Sequence, residues 1–135
     1  MFITKYNDTH RAGLITLWEN SFPTNPEHDE PNLMLDTKLK VDDLIFVAIE
    51  NGNISGSCMA GFDGHRGYLY SVAVSKNIRK AGVGKKLVTH AIEELKKLGC
   101  LKINLHIRPT NTEVAEFYKS LGFEIEERIC MGKLI

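Results

Sequence analysis

The residues between Ser75 and Lys86 are the ones whose types and spacing point most directly to chemistry. Five cations (Lys76, Arg79, Lys80, Lys85, Lys86) surround Gly82 and Gly84, and an amphipathic helical run follows from about Val83. Glycines just ahead of a helix leave backbone N–H groups uncovered, and the helix N-terminus carries partial positive charge. Without a Cβ in the way an anion can approach the backbone, and Arg79 and Lys80 add full charges to the same stretch. Phosphate is the ligand such a loop suits. Two familiar phosphate loops fail on spacing. Walker A needs a glycine at the position Arg79 holds and Ser or Thr where Lys86 stands. The dinucleotide fingerprint, counted from Gly82 and Gly84, needs a third glycine where Leu87 stands, and no acidic strand end follows at the right distance.

Other reactive side chains are scattered. Val114, Phe117, Tyr118 and Leu121 share one helical face, so periodicity alone makes Tyr118 a core residue. Asp63 and His65 lie in a turn and His106 on the polar side of a strand; each is a candidate general base, though each is more at home as a turn former or surface imidazole. The histidines lack metal-ligand spacing, and no metal is expected. Cys58, Cys100 and Cys130 form no CxxC pair; an odd, unpatterned set fits a reducing compartment and plain packing. Seventeen basic and seventeen acidic residues cancel, which argues against a dedicated nucleic-acid binder. Lys5, Asp8 and His10 interrupt any signal-like start, and no apolar run reaches membrane-spanning length. A cytoplasmic protein with no membrane partner is expected. Its 135 residues, 43% of them hydrophobic, suffice for one domain, 1–135, with a real core.

The elements that must position the loop can be read in order. Phe2–Tyr6 is a short strand; Asn7, Asp8 or Thr9 caps a helix carrying Leu14, Ile15, Trp18 and Phe22. Ser21–Pro31 is a polar loop, and Pro31 opens a second helix with Leu35 and Leu39 inward. Glu27, Asp29 and Glu30 in that loop either attract a cationic substrate or are simply solvated. Leu44–Glu50 is a buried strand, Asn51-Gly52 a hairpin turn, Ile54–Asp63 its return, and Tyr68–Val74 a third strand: an antiparallel meander. A helix from Val83 to Leu98 closes at Gly99, and Leu101–Ile107 alternates as a strand, so the crossover sets a parallel, right-handed pair. Thr110, Asn111 or Thr112 caps a last helix to about Leu121, and Phe123–Lys133 reads as one bent strand or two short ones. The class is an α/β (α+β) sandwich: a mixed sheet, antiparallel meander then parallel β-α-β centre, helices on both faces.

In this setting Arg79-Lys80-Ala81-Gly82-Val83-Gly84 reads R-x-x-G-x-G after Val72-Ala73-Val74. Asn111-xx-Val114-Ala115-x-Phe117-Tyr118-xx-Leu121-Gly122-Phe123 follows about thirty residues on, with a strand between. Over nearly its whole length the chain resembles the GNAT superfamily of N-acetyltransferases, and its Gly61–Gly67 turn resembles that of a small bacterial subgroup. The resemblance implies acetyl-CoA as co-substrate. Backbone groups of Val72, Ala73 and Val74 would pair with the pantetheine arm; N–H groups across Arg79, Lys80, Ala81, Gly82, Val83 and Gly84 would hold the pyrophosphate. Asn111 would touch the lower cofactor, and Tyr118 would protonate the departing thiolate. It implies acetylation of a small-molecule or peptide amine by direct attack, with Asp63, His65, His106 or water as base and a backbone N–H near Val74 for the oxyanion. Two rivals remain at this point: a catalytically degenerate acetyl-CoA or CoA sensor, and a nucleotide-binding regulatory domain. The edge of the last strand leaves room for a homodimer.

Overall fold

Ile45–Glu50 has no polar face because helices cover both sides of it. Ile45, Phe46, Val47 and Ala48 are wholly buried, as a strand in the middle of a two-faced sheet must be. The fold is seen in a computed structural model, which describes residues 1–22, 27–76 and 82–135. Two compact units make up the chain, residues 1–105 and 106–135.

The first unit holds a five-stranded sheet in the order β1-β2-β3-β4-β5, with β1 Phe2–Lys5, β2 Ile45–Glu50, β3 Asn53–Phe62, β4 Gly67–Val74 and β5 Ile103–Asn104. β1 to β4 pair antiparallel, and β4 pairs β5 in parallel. Asn51 and Gly52 both take positive φ (51° and 78°), as the hairpin turn between β2 and β3 requires. Helix α1 (Arg11–Ser21) and helix α2 (Pro31–Val41) cover one face. Leu14, Ile15, Leu17, Trp18 and Leu35 pack there against Ile45, Val47, Ile49 and Met59. Pro31 stands in the first turn of α2, and the Glu30 carboxylate caps it by accepting from the N–H groups of Asn32 (3.0 Å) and Leu33 (2.8 Å).

Helix α3 (Val83–Lys97) covers the opposite face through Val83, Leu87, Val88, Ala91 and Leu95. Its registry on the sheet is set where the strands carry no side chain. A Cβ at Gly56 would stand 2.8 Å from Leu87 Cδ1 and 3.3 Å from Val83 Cγ1, and one at Gly67 would stand 3.3 Å from Leu95 Cδ1. Strand glycines of this kind mark close approach of another element.

Two expectations change. The alternation across Leu101–Ile107 yields only a two-residue strand, because the ladder consists of Gly67↔Ile103 and Tyr68↔Asn104 alone. Residues 123–133 form no strand, and Ile125, Ile129 and Met131 are exposed. A period of two fixes which side chains share a face but cannot supply the neighbouring chain that a ladder needs. The second unit carries helix α4 (Thr112–Ser120), capped by Asn111 and followed by Gly122 at φ 92°.

Candidate active site at the end of β4

The β3–β4 ladder breaks once. Ser57 pairs Ala73 and Met59 pairs Tyr70, so Cys58 alone faces Ser71 and Val72. This is a β-bulge, which kinks its strand and re-aims the residues beyond it. Ser71 takes φ 48°, left-handed for a non-glycine residue, at a cost of about 1–3 kcal/mol. Its carbonyl is held from the neighbouring strand: Ser57 Oγ donates to Ser71 O at 3.0 Å, and Trp18 Nε1 donates to Ser57 Oγ at 3.0 Å. Both Trp18 and Ser57 are wholly buried. On its other side β4 has β5 beside it only at Gly67 and Tyr68; among the described residues no strand pairs that edge at 69–73. The strand therefore offers backbone rather than a finished ladder where the bulge sits.

The N-terminus of α3 is fixed beside this strand end. Gly56 pairs Val74 in the ladder and at the same time receives Val83 and Leu87 of α3. Val74 and Val83 thus flank one glycine. Gly82, the residue before the helix, has φ 77° and ψ 10°, and it can offer no side-chain cap to the helix's first N–H groups. Like any helix N-terminus, the first turn has N–H groups without intrahelical partners, of the kind an anion uses. Val83 is buried and serves as an anchor, whereas Gly84 lies half-buried in the first turn. Arg79, Lys80 and Ala81 lie outside the described residues.

Two clefts open on the α1/α2 side. One, of about 290 Å³, is lined by Leu17, Asn20 and Ser21 of α1 and by Val74, Ser75 and Lys76. The other, of about 410 Å³, is lined by His28, Leu33, Met34, Thr37 and Lys38. Ser71 Oγ donates to Met34 Sδ at 3.7 Å, so the second cleft has a wall in contact with the bulge. Tyr68 and Tyr70 stack beside it, with ring centroids 5.9 Å apart and planes 23° apart. Burial, then the neighbouring Tyr68 and Asp63, raises the Tyr70 phenol above its ordinary range and keeps it neutral. The Lys38 ammonium is engaged, 2.7 Å from Asp42 and donating to Ala60 O at 2.6 Å.

The base candidates differ in what they already do. Asp63 Oδ1 accepts from the N–H groups of His65 and Arg66, both at 2.7 Å, and those bonds hold its carboxyl below the usual range. It is a turn former whose Oδ1 is engaged by two backbone donors. His65 is exposed beside the Arg66 guanidinium (3.3 Å). His106, exposed in the second unit, stands outside any strand and 3.8 Å from Cys130 Sγ. Glu30 is likewise occupied, as the cap of α2. Cys58 is inert, its thiol pushed up to about 12 by burial.

In the second unit, Asn111 Oδ1 accepts from Val114 N at 3.3 Å and so caps α4. Tyr118 is buried, edge-to-face with Phe117 (5.0 Å) and Phe123 (5.4 Å). Sequence reasoning missed Trp18, Ser57, Ser71 and Met34. Only the run of small residues Gly56-Ser57 hinted that something approaches β3 closely.

The comparisons with known proteins agree with one another. A model described as the acetyltransferase (GNAT) family matches residues 11–123, spanning both units. An acetyltransferase of Pectobacterium atrosepticum is 39% identical over 121 residues, 89% of this chain and 85% of that protein. Among solved structures, the aminoglycoside N-acetyltransferase AAC(6')-Iy, in complex with a bisubstrate analogue of CoA and acetylneamine, superposes with a TM-score of 0.82 at 22% identity, over 99% of this chain and 97% of that one. Glucosamine-6-phosphate N-acetyltransferase of Arabidopsis thaliana does so with a TM-score of 0.73 at 24% identity, over 98% and 97%. At such identities the two structural likenesses speak to the fold alone.

Proposed function

The chain belongs to the GNAT acetyltransferase family, and on that premise we propose that it moves the acetyl group of acetyl-CoA to a primary amine by direct attack in a ternary complex. The observation that carries the reading is the end of β4: an edge that no strand pairs at 69–73 among the described residues, kinked by a bulge, beside an α3 N-terminus that begins at a left-handed glycine. The backbone of Val72, Ala73 and Val74 has the form a pantetheine amide chain needs to add on as a strand. The N–H groups at Gly82, Val83 and Gly84 suit its pyrophosphate, and Arg79, Lys80 and Ala81 complete that loop by sequence pattern. Asn111 takes the lower cofactor in this reading.

The acceptor enters from the α1/α2 side, where Met34 meets Ser71 and Tyr70 is exposed. Its neutral nitrogen attacks the thioester carbon, the C–S bond breaks, the nitrogen loses one proton and the CoA thiolate gains one. A backbone N–H near Val74 meets the developing oxyanion. Tyr118 supplies the thiolate proton, as a phenol can, and is restored by solvent. With Asp63 Oδ1 engaged in its turn, water relays the amine proton, with His65 or His106 as the assisting base. The acceptor is a small molecule or peptide carrying one accessible amine. The relatives' names favour an enzyme over a sensor that only binds CoA.

Thermal shift with acetyl-CoA, CoA, ATP and NAD tests the donor site. Stabilisation by acetyl-CoA and CoA is expected, about 2.7 kcal/mol at a hundredfold excess over Kd. Stabilisation by ATP without CoA sinks the reading. Thiol release across an amine panel, with mass detection of the acetylated product, then separates enzyme from sensor.

A further inference from the structure

We propose that Trp18 and Ser57 are positioning residues for the acetyl donor: two hydrogen bonds in series, the first of them buried, lock the bulge that turns the end of β4 into a binding edge. The inference rests on the reading of Val72–Val74 as that edge.

The chemistry of the groups fixes the direction of both bonds. An indole N–H only donates and a carbonyl only accepts, so Ser57 Oγ must accept from Trp18 Nε1 and pass its own proton to Ser71 O. No other hydroxyl orientation satisfies all three groups. Trp18 and Ser57 are both wholly buried, so solvent cannot replace a partner lost from the bond between them. The rungs on either side of the bulge are Ser57↔Ala73 and Met59↔Tyr70, which puts Ser57 within reach of the carbonyl of an extra residue, Ser71.

A purely structural core would not need this arrangement. Apolar residues of the same shape at 18 and 57 would fill the space without burying a donor and a hydroxyl. What the polar series adds is direction: it ties the middle of α1 to the left-handed backbone of Ser71 and hence to the path of Val72, Ala73 and Val74. The same helix lines the cleft at Val74 through Leu17, Asn20 and Ser21. Holding that path before the ligand arrives removes an ordering cost from binding.

The chain provides its own control. Ser55 Oγ donates to Ala48 O at 3.2 Å, at the irregularity between β2 and β3, which is the same kind of bond at the strand's other neighbour. Trp18 is also the only tryptophan, so its indole N–H gives a single resonance.

The experiment uses the full chain and calorimetric titration with acetyl-CoA and with CoA. Ser57→Ala and Trp18→Phe should each weaken acetyl-CoA by about tenfold, and the double variant should be no weaker than either alone, because both cut one series. Ser55→Ala should lower Tm while leaving affinity within about twofold. The indole resonance should shift on saturation of the wild type with acetyl-CoA and should no longer do so in Ser57→Ala. If Ser57→Ala does not fold, Trp18→Phe, which retains most of the ring, carries the affinity test. Wild-type affinity in the variants that fold, a loss no larger than that of Ser55→Ala, or a ligand-induced indole shift that survives Ser57→Ala overturns this inference alone. Absence of acetyl-CoA binding to the wild type overturns the proposed function and this inference together.

Discussion

Gly82 holds φ 77°, and among the described residues nothing lies within 4 Å of where a Cβ would sit, so the constraint they place there is on backbone conformation. Asp visits that conformation more readily than most residues, and its carboxylate is a good helix N-cap. At φ 77° an Asp is still strained, so Gly82→Asp should fold with a Tm below that of the wild type. It also sets a negative charge where the pyrophosphate is proposed to sit, and calorimetry should find acetyl-CoA weakened by more than about tenfold; unaltered affinity refutes the loop assignment. Tyr118→Phe keeps the ring contacts with Phe117 and Phe123 and removes only the hydroxyl. If the phenol protonates the thiolate, kcat should fall by up to about 10²-fold, since a CoA thiolate leaves tolerably unprotonated. KM for acetyl-CoA should not change. A rise in that KM with kcat intact instead gives Tyr118 a binding role. At this scale the sequence was informative where a residue carries its own signature. A glycine between cations and a helix advertises itself; a serine whose hydroxyl bridges two strands does not.

At the scale of elements, the decisive contact is α3 on β3. Gly56 lets Val83 and Leu87 come close, and the rung Gly56↔Val74 brings the end of β4 to the same place. An added Cβ would meet Leu87 Cδ1 at 2.8 Å and the Ala73 carbonyl at 3.1 Å. Gly56→Ala should cost about 1–3 kcal/mol in urea unfolding. It should also weaken acetyl-CoA, because the helix N-terminus must move away from the strand. Destabilisation with unchanged affinity would separate the two elements' roles. The helices and the meander were legible from periodicity, capping and the Asn51-Gly52 turn, all of which are local. The length of β5 and the segment after Phe123 were not, because alternation is silent about how far a neighbouring strand runs alongside. The β4 bulge was invisible for a related reason: it is a mismatch of one residue between two strands, and neither sequence contains it alone.

For the whole molecule, the titrating groups define a pH window. Folding lowers the carboxyls of Glu30 (N–H groups of Leu33, then Asn32), Asp63 (Arg66, then His65) and Glu94 (the Lys97 ammonium). Below their ordinary values near 4 the unfolded chain holds more protons than the folded one. That contribution is complete above about pH 5 and is lost as pH falls through the folded values. Tyr6 and Tyr70 are raised by burial, so their contribution is complete below about pH 10 and is lost as pH rises beyond it. Urea midpoints from pH 3 to 11 should trace a plateau with both shoulders, and Glu30→Ala should soften the acid one. A midpoint flat between pH 5 and 3 contradicts the carboxylate roles.

The family was legible in the sequence alone, and the proposed donor site rests on the same patterns: R-x-x-G-x-G before a helix, Asn111 to Phe123 after the next strand, and a meander ahead of both. These are short-range patterns, and short-range patterns are written in one stretch of chain. Only the tertiary structure decided that Asp63 and Glu30 are occupied by backbone N–H groups and that Gly56 joins the end of β4 to α3. The same holds for Trp18, which reaches through Ser57 to Ser71. Each of those joins residues from different elements, or lone pairs to particular donors, and such partners exist only once the strands are in register.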